Sequence, residues 1–220
     1  MSILEFKNAF YTHGDDDIIN DLSIKIDKGD FIYIVGPSGG GKSTFLKLCC
    51  HLISLTKGKI LYKGIDMNQY DPIDLRLDIS YCFQTPYLFG DTVEDNFLFP
   101  YKVRNKKVDL NKIYELLEQF KFNRDFFKKE VKNLSGGEKQ RIALIRNLLF
   151  KPEILLLDEV TSALDAENTL IVEDAIKDLN EDGVTILWVT HDIEQSKRHG
   201  NKILTLENGK IKSLEVIQSE

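Results

Sequence analysis

The sequence runs to 220 residues, 42% hydrophobic and 29% charged, a length and balance that fit one globular domain with a sizeable core and exclude a disordered chain. Lys plus Arg number 29 against 35 Asp plus Glu, a net charge of −6. That balance argues against a broad nucleic-acid surface, so no nucleic-acid partner is expected, but it leaves room for a small anion site made from backbone N–H groups.

Met1-Ser2-Ile3-Leu4-Glu5 lacks the basic and apolar regions of a secretory signal, and no run of 18 apolar residues follows. A cytoplasmic chain that does not cross a membrane is therefore expected. Ile3, Glu5 and Lys7 alternate with Leu4 and Phe6, and Leu22, Ile24 and Ile26 with Ser23 and Lys25, the pattern of half-buried strands. Lys28-Gly29-Asp30 is a turn, and Phe31 to Val35 is the near-continuous apolar run of a buried strand. A glycine-rich loop comes next, then a helix predicted from Ser43 to about Leu52. Cys49 and Cys50 fall in its apolar pattern. With Cys82 they make three cysteines without paired spacing, which fits reduced thiols serving as small buried hydrophobes.

Apolar runs recur at Ile79 to Phe83, Ile154 to Leu157 and Thr185 to Val189, with helical stretches between them. This alternation predicts an α/β fold with a mostly parallel sheet. From about Pro86 to Phe150 the strand runs stop. Asp109 is placed to cap a helix with Leu110, Ile113, Leu116, Leu117 and Phe120 on one face. Arg141 to Phe150 continues a second helix, ended by Lys151-Pro152. The stretch reads as a helical lobe inserted into the α/β core. Near the end, Asn208-Gly209 between Ile203–Glu207 and Lys210–Lys212 predicts a hairpin on an antiparallel edge.

Gly36-Pro37-Ser38-Gly39-Gly40-Gly41-Lys42-Ser43 matches G-x-x-x-x-G-K-[ST], with a strand before it and a helix after it. Glycines let the backbone curl around an anion with its N–H groups inward, and the helix start adds positive partial charge. Lys42 can reach β- and γ-phosphates, the Ser43 hydroxyl can ligate Mg²⁺, and Thr44 opens the helix beside them. A glycine-rich turn is the bland alternative, and the strand–loop–helix context weighs against it. The loop by itself does not separate an ATPase, a GTPase and a kinase. Ile154 to Leu157 runs into Asp158-Glu159, two acids at the carboxyl edge of the sheet, where the loop also opens. Asp158 can hold Mg²⁺ through its water shell, and Glu159 can accept a proton from an attacking water; a charged pair capping a strand is the alternative. Leu134-Ser135-Gly136-Gly137-Glu138-Lys139-Gln140-Arg141 opens a helix, with Ser135 as N-cap and two glycines clearing space for an anion at its positive end.

Those eight residues resemble the signature motif of the ABC-type ATPases. The resemblance extends over essentially the whole chain, with the motifs in the family's order. Tyr11 stands where the family has an aromatic that stacks on adenine, with Phe10 as its rival. Gln84 matches the Q-loop glutamine, a further Mg²⁺ contact. Ser162-Ala163-Leu164-Asp165 matches the D-loop, in which Asp165 can also cap the next helix. His191 matches the switch histidine. The resemblance implies a P-loop NTPase core with an N-terminal antiparallel β subdomain and an inserted helical lobe, residues 1–220 forming one ATP-binding domain with the lobe at about residues 86–150. It further implies ATP and Mg²⁺ as cofactors and a head-to-tail homodimer, in which ATP on Lys42 of one copy is covered by Ser135 and Gly137 of the other. Glu159 would activate water and His191 would hold the γ-phosphate side.

A motor of this kind needs a separate multi-spanning permease, which would hold it on the inner face of the cell membrane. The segment Thr85-Pro86-Tyr87-Leu88-Phe89-Gly90-Asp91-Thr92-Val93 lies where the family's transporters receive that subunit; its aromatics suit a docking groove or internal packing. With Gln84, Glu94 to Asn96, Phe99-Pro100, Arg104-Asn105, Leu144 to Leu148 and Leu187 to Asp192, it is similar to the FetA-type subgroup of two-gene bacterial iron exporters. The chain departs from commoner family patterns at Gly40, where Cys or Ser is frequent, and at Val160, where Pro or Ala is frequent. An importer subunit, a soluble ABC-type ATPase acting on nucleic acid or ribosomes, and a P-loop phosphotransferase are the alternatives.

Overall fold

A computed structural model describes residues 1–217. In chain order the elements are β1 (Ser2–His13), β2 (Asp16–Asp27), β3 (Phe31–Val35), α1 (Lys42–Cys49), β4 (Lys57–Tyr62), β5 (Ile65–Asp66), α2 (Pro72–Asp78), β6 (Ile79–Cys82), α3 (Val93–Val103), α4 (Leu110–Gln119), α5 (Gly136–Leu148), β7 (Ile154–Asp158), α6 (Ala166–Glu181), β8 (Thr185–Val189), β9 (Lys202–Glu207) and β10 (Lys210–Val216). The chain divides into two compact units. The first takes Met1–Tyr81, Pro152–Glu159 and the residues from Asn180 onward; the second takes Cys82–Lys151 and Val160–Leu179.

The first unit carries two sheets. The N-terminal one is antiparallel, in the order β2-β1-β4-β5. The other runs β10-β9-β3-β8-β7-β6, with β3 parallel to both β8 and β9, β7 parallel to β8, and β10 antiparallel to β9. All residues of β7 and β8 are buried, which is why they read as unbroken apolar runs: a central parallel strand is covered on both faces. Asn208 and Gly209 have φ of 50° and 72°, the doubly positive pattern of the two-residue hairpin turn expected there. The core joins both sheets through Leu4, Phe6, Ile26, Ile34, Phe45, Leu156 and Leu187. Helix α1 stops at Cys49, earlier than its apolar pattern predicts, because His51 turns left-handed (φ 53°) and its N–H donates to the Leu48 carbonyl.

The second unit is helical. Asp109 accepts from the Lys112 N–H and caps α4 as predicted. Ile113, Leu117 and Phe120 of its apolar face are buried while Leu110 stays 45% exposed. Ser135 and Glu138 form a reciprocal capping box at the start of α5. Phe97 stacks on Phe127, and Tyr114 meets the edge of that same ring.

Candidate nucleotide-binding site

The loop from Gly36 to Gly41 joins the end of β3 to α1 and rests on a floor of backbone. A Cβ at Gly36 would lie 1.9 Å from the Leu206 carbonyl oxygen of β9, so only glycine fits. A Cβ at Gly40 would sit 3.0 Å from that same oxygen and from the Pro37 oxygen, a tight approach that small shifts of the neighbours could accommodate. The hairpin turn completes the floor. The Gly209 N–H donates to the Gly40 carbonyl (3.3 Å), and the Asn20 N–H donates to the Gly209 carbonyl (2.9 Å). Tyr11 of β1 pairs with Ile19 of β2, whose side chain approaches Gly41. Tyr11 is half-buried against the core, one strand from the loop.

Lys42 is buried, and its ammonium donates to the Gly36 and Pro37 carbonyls at 3.0 and 2.8 Å. Burial pushes it below the usual lysine range, while Glu159 and Asp158 pull it back up. The Ser43 hydroxyl donates to Asp158 Oδ1 at 2.9 Å, and the Tyr81 hydroxyl donates to Asp158 Oδ2 at 2.6 Å. Glu159 follows the strand in a left-handed backbone conformation (φ 51°), its N–H bonded to the Val189 carbonyl of β8. Such a conformation in a non-glycine residue is strained and concentrates at functional sites. Its carboxylate meets His191 Nε2 at 2.8 Å. The first unit thus brings together Lys42, Ser43, Asp158, Glu159 and His191. Ser43 and Asp158 supply two hard oxygens side by side. Among the described residues no three His, Cys, Asp or Glu side chains are grouped to hold a metal by themselves. That set fits Mg²⁺, which takes one or two protein oxygens and completes its shell with water and phosphate.

The remaining predicted residues belong to the second unit. Gln84 is exposed just past β6. Ser135 Oγ accepts from the Glu138 N–H, so its proton remains available to a ligand, and the first-turn N–H groups of Gly136 and Gly137 have no intrahelical acceptor. Burial pushes the Glu138 carboxyl up, but the Ser135 N–H and Lys129 outweigh it and hold the group below its usual range. Asp165 caps α6 through Asn168, whose N–H holds its carboxyl low. Gln140 donates to the Phe83 carbonyl, and Arg141 lies over the Phe122 ring with a 2.8 Å bond to the Phe120 carbonyl. The aromatic segment divides: Phe89 packs edge-on against Phe99 and under Arg146, while Tyr87 and Phe83 stay exposed. The thiols of Cys49, Cys50 and Cys82 are buried, and burial raises all three.

Sequence reasoning missed Tyr81 and the floor made by Leu206 and Gly209. A tyrosine in an apolar run looks like core, and a floor of backbone atoms has no side-chain pattern.

A family model described as "ABC transporter" matches residues 19–162. The chain is 45% identical over 206 residues to the "Probable iron export ATP-binding protein FetA" of Escherichia coli K12, covering 93% of this chain and 91% of that protein. It is 35% identical to the "Fe(3+) ions import ATP-binding protein FbpC" of Fusobacterium nucleatum, spanning 97% of this chain and 58% of that one. A dimeric ATP-binding cassette solved in a post-hydrolysis state with ADP and Pi superposes with a TM-score of 0.88 at 29% identity, covering 99% and 100% of the two chains. The fold, the loop and the comparisons agree: the chain belongs to the ABC transporter family and is one of its ATP-hydrolysing domains.

Proposed function

We propose that this chain is the energy-coupling subunit of a metal-ion exporter, with iron as cargo, and that it works as a pair of identical copies enclosing ATP. The whole chain acts as one ATP-binding domain, with residues 86–150 its helical lobe. The hydrolytic reading is carried by the contact of Glu159 with His191 beside the Ser43–Asp158 pair. Lys42 exchanges the Gly36 and Pro37 carbonyls for β- and γ-phosphate oxygens. Loop N–H groups cradle the phosphates, and Tyr11 stacks on the adenine. Ser43 and Asp158 would hold Mg²⁺, which when bound would neutralise phosphate charge. Glu159 accepts a proton from the attacking water, and His191 orients that carboxylate. Ser135, Gly136 and Gly137 of a second copy cover the γ-phosphate, and its Asp165 lies at the same interface. Loss of the γ-phosphate then lets the pair open.

Iron export rests on likeness that reaches across nine-tenths of both chains; nothing in the chain itself is asked to bind iron. Phe83 and Tyr87 offer an exposed aromatic surface on which a separate multi-spanning permease can dock, holding the chain at the inner face of the membrane. The test has two parts. A tagged chain drawn from host membranes in mild detergent should bring down one multi-spanning protein in equal amount. Cells loaded with radioactive iron should lose it faster when the chain is overproduced, but not when Lys42→Ala is. Recovery of the chain alone overturns the transporter reading, and faster uptake reverses the direction.

A further inference from the structure

Tyr81 lies outside every motif that the proposed function uses. It stands on β6, its hydroxyl donating to Asp158 Oδ2 at 2.6 Å, the short length of a charge-assisted O–H···O bond. The Ser43 hydroxyl at the start of α1 holds the other oxygen, Oδ1, at 2.9 Å. Asp158 itself is 5% exposed at the end of β7. Three separate elements therefore meet at one buried carboxylate. A carboxylate held by a single donor can rotate about its Cβ–Cγ bond; one held at both oxygens from two elements keeps its plane. A phenylalanine would fill the same space on β6 but leave Oδ2 without that donor, so the hydroxyl has work there that ring packing does not explain.

We propose that Tyr81 is a positioning residue for the metal–nucleotide site. It locks the Asp158 carboxylate so that Oδ1 stays beside Ser43, where Mg²⁺ of Mg-ATP is to be held. The inference rests on the nucleotide reading above and deepens it. It makes a specific demand: loss of the hydroxyl should weaken the contribution of the metal to nucleotide binding, while the loop's own grip on phosphate is untouched. Partners of metal ligands commonly carry a tenfold or larger effect of this kind.

The test uses the fluorescent analogue mant-ATP with full-length Glu159→Gln protein, so that the probe is not consumed. Its affinity is measured in EDTA and in excess Mg²⁺, and the ratio is the gain due to metal. Adding Tyr81→Phe should reduce that gain about tenfold and leave the EDTA affinity within about twofold. In an Asp158→Asn chain, the same substitution should change the gain less than twofold, because the group it positions is gone. An unchanged gain overturns the inference. So does an equal loss of affinity with and without metal, which marks a structural role only. A Glu159→Gln reference that binds no mant-ATP in EDTA or in Mg²⁺ overturns the nucleotide reading itself, and one that binds but gains nothing from Mg²⁺ overturns the inference.

Discussion

Gly209 lies at the tip of the C-terminal hairpin, far in sequence from the phosphate loop, yet the loop depends on it. A Cβ added there would stand 2.3 Å from the Ile18 carbonyl oxygen, 2.9 Å from its carbon and 3.1 Å from Ile19 Cα, at a φ of +72°. All three neighbours are backbone, so no rotamer change relieves the clash, and the turn must move by most of an ångström. Gly183 is the matched control. Its φ is +88°, and a Cβ there meets nothing within 4 Å. Gly183→Ala therefore costs only the left-handed backbone penalty, about 1–2 kcal/mol. Gly209→Ala adds overpacking of about 1–3 kcal/mol, giving about 2–5 kcal/mol together, and displaces the floor beneath Gly40. The chain has a single tryptophan, Trp188, buried in the first unit with both glycines. Urea unfolding followed by its fluorescence reads the unit in question. Gly209→Ala should lose the larger stability and several-fold in mant-ATP affinity, and Gly183→Ala should keep native affinity. Equal destabilisation by the two variants would refute the argument that close backbone approach sets the cost.

Two further outcomes follow from the site and the core. Glu159→Gln should bind Mg-ATP, form stable pairs on a sizing column with light scattering, and turn over about 10²–10⁴-fold more slowly than the parent, the usual worth of a positioned proton acceptor; a monomer in saturating Mg-ATP counts against the sandwich. Burial raises the Cys50 thiol to about 11 and the Cys82 thiol to about 12, with Cys49 also well up. Because the folded values lie above the unfolded one near 8.5, the stability these groups confer is complete below about pH 8.5 and falls as pH climbs towards 11–12. Iodoacetamide at pH 8 should label no thiol of the folded chain and all three in urea; a labelled native cysteine would contradict the burial.

How far the sequence exposed this fold depended on which atoms carried the information. Strands β3, β7 and β8 were legible because they are almost wholly buried and, apart from Asp158 at the end of β7 and Thr185 at the start of β8, their side chains are apolar. The hairpin was legible because Asn208-Gly209 is a turn that few other dipeptides make. Strand β4 was not, since Lys57, Gly58 and Lys59 at its start are exposed, and α2 is a seven-residue helix with too few turns to show a period. At the candidate site, Lys42, Ser43, Asp158, Glu159 and His191 stood out through motifs, because the chemistry proposed for them asks for particular side chains at particular positions, two of them at the end of one strand. Gly209 and Leu206 act through backbone atoms, which any sequence supplies. Tyr81 meets its partner across 77 positions, a pairing that only the fold reveals.

The same distinction explains how a chain of net charge −6 holds a polyanion. Net charge governs solubility and long-range steering, not a site a few ångströms wide. Within that site burial pushes Lys42 below the usual lysine range, and the two neighbouring carboxylates only partly restore its charged form. Its hydrogen bonds go to neutral carbonyls, which an incoming phosphate oxygen outcompetes as an acceptor because it is ionised. A nucleotide arriving without a cation must face Asp158 and Glu159 with that ammonium, the loop N–H groups and the start of α1 in its favour. On the reading proposed above, one arriving as Mg-ATP would bring positive charge to those carboxylates and the Ser43 hydroxyl. On that proposal, the acidity that argues against a nucleic-acid surface would favour, at this one loop, the metal-bound form of the nucleotide over the bare one.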